Sequence, residues 1–419
     1  MVTNYCRDAD TCSLYLSRSL THPSGQLGLY TLKSTPGLMS RHGIVTGSYY
    51  HDTPGPLARS MKDVSILLDI MVGTDTYDNL TLTAVGQPQA NSYASKVVGK
   101  QALKGMKLGL PWFPYWASQG HINSPGNRAQ YMQRIRELED AGATIYNITV
   151  SCTWPSHTVQ IETLECLRFH QTRGFAPIAS PYGGGNPPNI AAQFNQVTVF
   201  STLMAVGYAE WLANWTFPAS DPRYGMSTIE MMAAWNDAHN ETTGALGNGT
   251  WWWDSKSGQS FYDAAVVTKG EMGSAFWTAF GWGRMTAAQA IDSAHAYVSV
   301  NPATGETESV TLDGLLVPNG RGGGYGNACA SVPAYAGYPV AAVPIGLDGF
   351  STPFGICVYG RKFGEEKLVE VASALEDLFQ WNEQPKWHGY DTARGPWLAP
   401  WPGYTCSNSS LEAYSCARP

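Results

Sequence analysis

The chain has 419 residues, 43% of them apolar and only 14% charged, so it can bury a large core. A net charge of −7 with scattered basic residues argues against a nucleic-acid partner, whose phosphates call for a basic face. No run approaches eighteen consecutive apolar residues, so no membrane span is expected.

The first residues, "MVTNYCRDADTCSLYLSRSL", lack the apolar stretch of a secretory leader. Next, "TPGP" (53–56) cannot be helical, because its prolines fix φ and hold their neighbours extended. A helix is expected over 60–72. Met61, Val64, Leu67, Leu68 and Met71 share one stripe, Ser60 and Asp63 make a capping box, and Gly73 is placed to end it. A strand in "LKGMKLGLPW" (103–112), a helix from Asn127 and a β-rich run over 143–150 form a βαβ unit with parallel pairing. In that helix Met132, Ile135 and Leu138 face inward, and Gly142 stops it.

Another helix opens near Ser227 and Glu230. Strands "YPVAAVPIG" (338–346) and "PFGICVYG" (353–360) follow, then a helix over 365–381 burying Leu368, Val371, Leu375 and Phe379. No internal repeat interrupts this order. The fold class is α/β: one body built on a mixed sheet with "YPVAAVPIG" central, helices 60–72 and 365–381 on its faces, and long insertions over about 155–330.

Fifteen tryptophans and twenty-two tyrosines stand out. Aromatic packing under long loops accounts for most of them, while "WWW" (251–253) and "WTAFGWG" (277–283) are the best walls for an aromatic pocket. Six sequons, at Asn79, Asn147, Asn214, Asn240, Asn248 and Asn408, exceed the roughly two or three expected by chance and point to a secreted parent protein. Eight cysteines agree: Cys406 with Cys416, and Cys152 with Cys166, could close loops, whereas Cys357 in an apolar strand reads as a buried thiol.

Chemical motifs are sparse. "NGRGGGYGNA" (319–328) looks like a phosphate loop, but no Lys-Ser/Thr follows, and "PYGGGNPP" (181–188) reads as a turn. The nine histidines form no HExxH and no metal-ligand pair at helical spacing, so no metal or cofactor is expected. His51 beside Asp52 is the best imidazole–carboxylate pair, and a loop hydrogen bond explains it equally well. A Ser-His-Asp triad needs no adjacency in sequence, but the GxSxG elbow is absent.

Five stretches in one order carry a family resemblance: "HDTPGPLARSMKDVSILLDIM" (51–71), "LKGMKLGLP" (103–111), "RIRELEDAGATI" (134–145), "ASVPAYAGYPVAAVPIG" (330–346) and "PFGICVYGRKFGEEKLVEVASALE" (353–376). Over about 16–385 the chain resembles the amidase signature family, and more narrowly a fungal-type secreted amidase lacking its N-terminal third. The resemblance implies a large mixed, twisted β-sheet surrounded by helices, and a serine amidase without cofactor acting on a small-molecule amide. Catalysis in that family runs through a Ser–cis-Ser–Lys relay, in which a neutral buried lysine draws the nucleophile's proton through a bridging serine. Residues 1–15 then form an atypical leading segment, and 386–419 a tail with the Cys406–Cys416 loop.

Aligning "HPS" (22–24) and "GLYTLKSTPGLMSR" (28–41) with the family puts Ser19 at the nucleophile position. The oxyanion-cradling backbone would come from Leu16, Ser17 and Arg18, where the family carries a glycine-rich turn. Gly323, Gly324 and Tyr325 are the candidate substrate-pocket residues. Lys33 matches a family lysine that is not the catalytic one. Departures are severe: Tyr15 stands for the motif aspartate, Ser17 and Arg18 for two glycines, and Thr21 for an arginine. The bridging serine and the lysine belong far upstream, and eighteen residues precede Ser19. Either the chain is a truncated descendant or its first residues replace a lost N-terminal third. The second is favoured, because it reconciles six sequons with no leader. Impaired amidase activity is therefore expected, the alternative being a non-catalytic amidase-like glycoprotein or binding module.

Overall fold

Thirteen strands alternate with nine helices among the described residues of a computed structural model, namely 15–116, 127–148, 152–154, 157–159, 196–214, 217–221, 223–238, 259–300, 304–320, 329–348, 352–381, 405–408 and 414–417. The strands are β1 (Tyr30–Lys33), β2 (Leu57–Ala58), β3 (Lys107–Pro111), β4 (Thr144–Ile148), β5 (Cys152–Trp154), β6 (His157–Val159), β7 (Ala296–Val300), β8 (Thr307–Thr311), β9 (Gly314–Asn319), β10 (Val340–Leu347), β11 (Pro353–Tyr359), β12 (Thr405–Asn408) and β13 (Tyr414–Ala417). The helices are α1 (Tyr15–Leu27), α2 (Met61–Met71), α3 (Asn127–Asp140), α4 (Gln196–Ala213), α5 (Ile229–Ala238), α6 (Gln259–Thr268), α7 (Ser274–His295), α8 (Ser331–Ala336) and α9 (Glu365–Phe379).

Seven strands form one mixed sheet in the order β2-β1-β10-β11-β9-β3-β4. β3 runs parallel to both β4 and β9, as the βαβ reading requires, and the other pairings are antiparallel. Strand β10 lies inside the sheet, paired on both edges, although the middle strand is its neighbour β11. All six residues of β9 and nearly all of β10 and β11 are buried, so both faces of the sheet centre are covered. One apolar core runs from Tyr30 and Leu32 through Val343 and Ile356 to Leu375 and Phe379.

Local chemistry explains the elements around this sheet. Ser60 caps α2 by accepting from the Asp63 N–H, as the capping box predicts. The C-cap of α2 is Val72, whose N–H returns to the Leu68 carbonyl, while the Gly73 N–H goes to Leu38; Gly73 therefore does not end the helix. Met61, Val64 and Leu68 are buried, but Leu67 and Met71 face outward, so the apolar stripe is narrower than the sequence suggests. Gly142 has φ +93°, where a side chain would be strained, and it releases the chain from α3 into β4. Helix α9 buries Leu368, Val371, Leu375 and Phe379, as expected, and packs on β10 and β11 with α2 beside it.

One cysteine expectation is overturned. Cys357 is not a free thiol: it is disulfide-bonded to Cys329, which ties the interior strand β11 to the residues just before α8. Both sulfurs are buried, so apolar surroundings in the sequence do not separate a thiol from a disulfide. In the small β12–β13 hairpin, Cys406 stands opposite Cys416. Cys166 lies outside the described residues. Among the described residues no helix is long and apolar enough to cross a membrane.

Candidate active site

The stretch bearing Ser19 is a helix followed by a return strand. Helix α1 carries Leu16, Ser17, Arg18 and Ser19 in its first turns, then passes Gly28 at φ +65° into β1. Thirteen helical residues rise about 20 Å and the return to Lys33 covers a similar length, so the end of β1 comes back toward the start of α1. The first N–H groups of a helix have no intrahelical acceptor. Leu16, Ser17 and Arg18 therefore lie at a helix start, where the resemblance expects a glycine-rich turn.

The "DTPGPLA" segment is fastened to this hairpin. β2 pairs with β1, joining Tyr30 to Ala58 and Thr31 to Leu57, and the Thr31 hydroxyl donates to the Pro56 carbonyl at 2.7 Å. Gly55 must be small here. A Cβ on it would lie 2.3 Å from the Leu32 carbonyl oxygen and 3.0 Å from Leu20 Cδ1. The loop between Thr53 and Pro56 therefore sits directly beside the residue after Ser19.

Beyond it lies a sealed polar cluster. Lys33, Ser34, Thr35, Ser48, His51, Asp52, Thr53 and Glu365 are all buried. Lys33 Nζ donates to the carbonyls of Tyr338, at 2.8 Å, and Ser34, at 3.1 Å. Burial drives the Lys33 ammonium down to about 7; Glu365 and Asp52 resist this and Arg284 adds to it. Ser34 and Thr53 share a hydroxyl–hydroxyl bond of 3.0 Å. Glu365, at the start of α9, is raised by burial although its Oε1 accepts the Thr35 N–H.

His51 and Asp52 do meet a serine, but not as a triad. Ser48 Oγ lies 2.8 Å from His51 Nδ1, while Asp52 Oδ2 accepts from the Ser48 N–H and His51 Nε2 has no partner among the described residues. A catalytic triad needs the carboxylate on the imidazole and the serine open to substrate. All three residues here are sealed from solvent, so they brace the loop. Burial, with help from Arg284 and Lys33, holds the His51 imidazole neutral well below its usual range.

A second brace lies nearby. Arg41 donates from Nη2 to Asp78 Oδ1 at 2.7 Å and from Nε to Oδ2 at 2.9 Å, and its guanidinium covers the Tyr49 ring at 4.5 Å. Both side chains are nearly inaccessible. Among the described residues no group of His, Cys, Asp and Glu is placed to hold a metal ion.

The aromatic stretch 277–283 lies in α7. There Phe280 packs on Tyr50 and His51, at 5.5 Å each, and Trp277 is 48% exposed beside Tyr50. Gly323, Gly324, Tyr325, residues 251–253, Asn240 and Asn248 lie outside the described residues. Asn79, Asn147 and Asn214 are exposed, and Asn408 is in β12. Sequence reasoning missed Glu365 and Arg284. The latter had a signal, being the only charge in eighteen residues of α7, 274–291.

A family model described as Amidase matches residues 18–167. The Schizosaccharomyces pombe protein named "Putative amidase" is 27% identical over 376 residues, covering 89% of this chain and 57% of its own. A glutamyl-tRNA(Gln) amidotransferase subunit from Rhizorhabdus wittichii is 25% identical over 374 residues, covering 88% and 62%. In fold, the chain resembles the native peptide amidase of Stenotrophomonas maltophilia with TM-score 0.61 at 24% identity, covering 87% of this chain and 61% of that one. The chain thus spans less than two thirds of the length of each of these proteins.

Proposed function

Since the chain belongs to the amidase signature family, we propose that it is a hydrolase of carboxamide C–N bonds with Ser19 as nucleophile. Ser19 Oγ attacks the amide carbonyl carbon, and the resulting oxyanion is met by the N–H groups of Leu16, Ser17 and Arg18. The C–N bond then breaks, the amine leaves with a proton, and water hydrolyses the acyl ester to a carboxylic acid and free Ser19. One observation carries this reading: the amidase model takes up the chain at residue 18, beside Ser19, and continues through the hairpin and the "DTPGPLAR" loop packed on it.

The 419-residue chain alone is proposed to turn over amides poorly. An unactivated serine hydroxyl is a weak nucleophile, and the lysine and bridging serine of the family relay have no counterpart among the eighteen residues before Ser19. In a serine protease, loss of the nucleophile or its base costs roughly 10⁶-fold in turnover. A second reading, a non-catalytic glycoprotein, is favoured by Arg18 in a glycine position and by the exposed Asn79, Asn147 and Asn214.

A chimera decides between them. Residues 16–419 are joined to the preceding segment of the S. pombe relative and assayed on simple amides and with a fluorophosphonate. Turnover and stoichiometric labelling that vanish in Ser19→Ala support the hydrolase. A soluble, folded chimera that does neither supports the glycoprotein. Labelling of the 419-residue chain itself would overturn the proposed impairment.

A further inference from the structure

Among the described residues Arg284 is a cation without a counter-ion. Its guanidinium lies over the Phe280 ring at 5.3 Å, Nη2 reaches the Tyr50 carbonyl at 3.4 Å, and Nε is buried with no partner among the described residues. Among the described residues it makes no salt bridge, in contrast to Arg41 with its bidentate Asp78. Of the acidic groups around this region, Asp52 accepts the Ser48 N–H, Glu365 the Thr35 N–H and Asp292 the hydroxyl of Tyr338.

The surroundings make room for it. A Cβ on Gly337 would lie 2.4 Å from Arg284 Nη2, so the residue that ends α8 at φ +70° is also the one that lets the guanidinium approach. On the same Phe280 ring rests His51, 1% exposed, with Nε2 unpaired among the described residues. The positive charge is felt widely. After burial, Arg284 is a further cause of the lowered basicity of His51, Lys33 and Lys362.

Desolvating a cation costs several kcal/mol unless an anion answers it, and a guanidinium answers a carboxylate with matched geometry. Arg284 stays partly open to solvent, and the rings of Tyr50, Phe280 and Trp277 beside it suit an apolar body attached to that carboxylate. His51 packs edge-on against Tyr335 of α8, and α8 in turn contacts α1, which bears Ser19. We propose that Arg284, seated over Phe280, is a subsite for a carboxylate on the substrate, so that the amides this chain takes are acidic ones such as N-acyl amino acids. The word substrate rests on the hydrolase reading; the anion subsite does not.

Binding tests it without turnover. N-Benzoylglycine and its methyl ester are titrated calorimetrically into the 419-residue chain. The acid should bind at least tenfold more tightly than the ester. Arg284→Gln should remove that preference, and Arg284→Lys should keep part of it. Should Arg284→Gln fail to fold, the graded loss in Arg284→Lys, with circular dichroism unchanged, carries the test. Equal binding of acid and ester, or an acid preference that survives in Arg284→Gln or undiminished in Arg284→Lys, overturns the subsite. Carboxylate selectivity in a chain whose chimera proves inactive would sink the hydrolase and leave the subsite standing.

Discussion

The backbone N–H of Thr35 donates to Glu365 Oε1 at 2.6 Å, across 330 residues of chain. Thr35 follows β1 and Glu365 opens α9, so this bond joins the Ser19 hairpin to the helix covering the sheet. A Phe363 N–H to Thr35 Oγ1 bond of 3.0 Å completes the clasp. Removing the carboxyl would strand a buried backbone donor. Glu365→Ala should therefore cost about 1–3 kcal/mol in urea unfolding, and Glu365→Gln, which keeps an acceptor, distinctly less. Equal losses in the two variants would mean that the acceptor is not what Glu365 supplies.

The Arg41–Asp78 pair makes a sharper case. Both side chains are at most 4% exposed, so deleting one leaves the other charged and unanswered. Asp78→Asn and Arg41→Met are each expected to lose roughly 3–5 kcal/mol. The double variant should recover much of that loss, and a double-mutant cycle measures the coupling. Additive losses would show that the two charges do not depend on each other.

How far these features could be read in advance follows from what each residue contacts. Helix α2 and the β3-α3-β4 unit were legible because apolar spacing and the Ser60 cap are local. Gly73 misled because a glycine after a helix need not take the left-handed conformation, and Val72 closed the helix without it. Ser19 could be placed only by resemblance, since nothing near it announces a nucleophile. Glu365 and Arg284 owe their settings to Thr35 and to Phe280 with Tyr50, and only Phe280 is near its partner in sequence. The Cys329–Cys357 pairing spans 28 residues and two different elements, so counting cysteines could not select it.

Acid should destabilise the protein through its buried histidines. Burial, with help from Arg361, drives His295 down to about 4, against the pull of the Ile291 carbonyl and Asp292. The unfolded chain protonates this ring near pH 6.5 while the native one does not. Between pH 6.5 and 4 the unfolded state therefore binds more protons, and stability falls as pH falls, by up to roughly 3 kcal/mol for this residue. His295→Asn should flatten the dependence of urea midpoints over that window. His51, shifted the same way, should leave a residual slope. An unchanged slope in His295→Asn would show that the ring is not held neutral.

The Cys329–Cys357 disulfide closes a loop of sequence separation 28, for which loop-closure entropy gives about 3–4 kcal/mol. The paired substitution Cys329→Ala with Cys357→Ala avoids a stray thiol and should lose about that much. Both cysteines are buried, at 4% and 0% exposure, so mild reductant should not open the bond until the protein unfolds. Rapid reduction of the folded protein by dithiothreitol, followed by alkylation at Cys357, would contradict this.

Glycosylation draws the disulfide and the sequons into one expectation. A disulfide on an interior strand forms and persists in an oxidising compartment, which is also where sequons are read. Among the described sequons, Asn79, Asn147 and Asn214 have exposed side chains. Asn147 lies on β4, the outermost strand on its side of the sheet, where a glycan would hinder pairing with another sheet edge. Residues 1–419 behind a secretory leader in a eukaryotic host should carry glycans at these three asparagines. Enzymatic deglycosylation with mass spectrometry would count them, each converted to aspartate. Asn147→Gln should secrete with a larger share of self-associated material than Asn214→Gln, whose residue follows a helix. A secreted, folded protein unmodified at all three sites would make the excess of sequons an accident of composition.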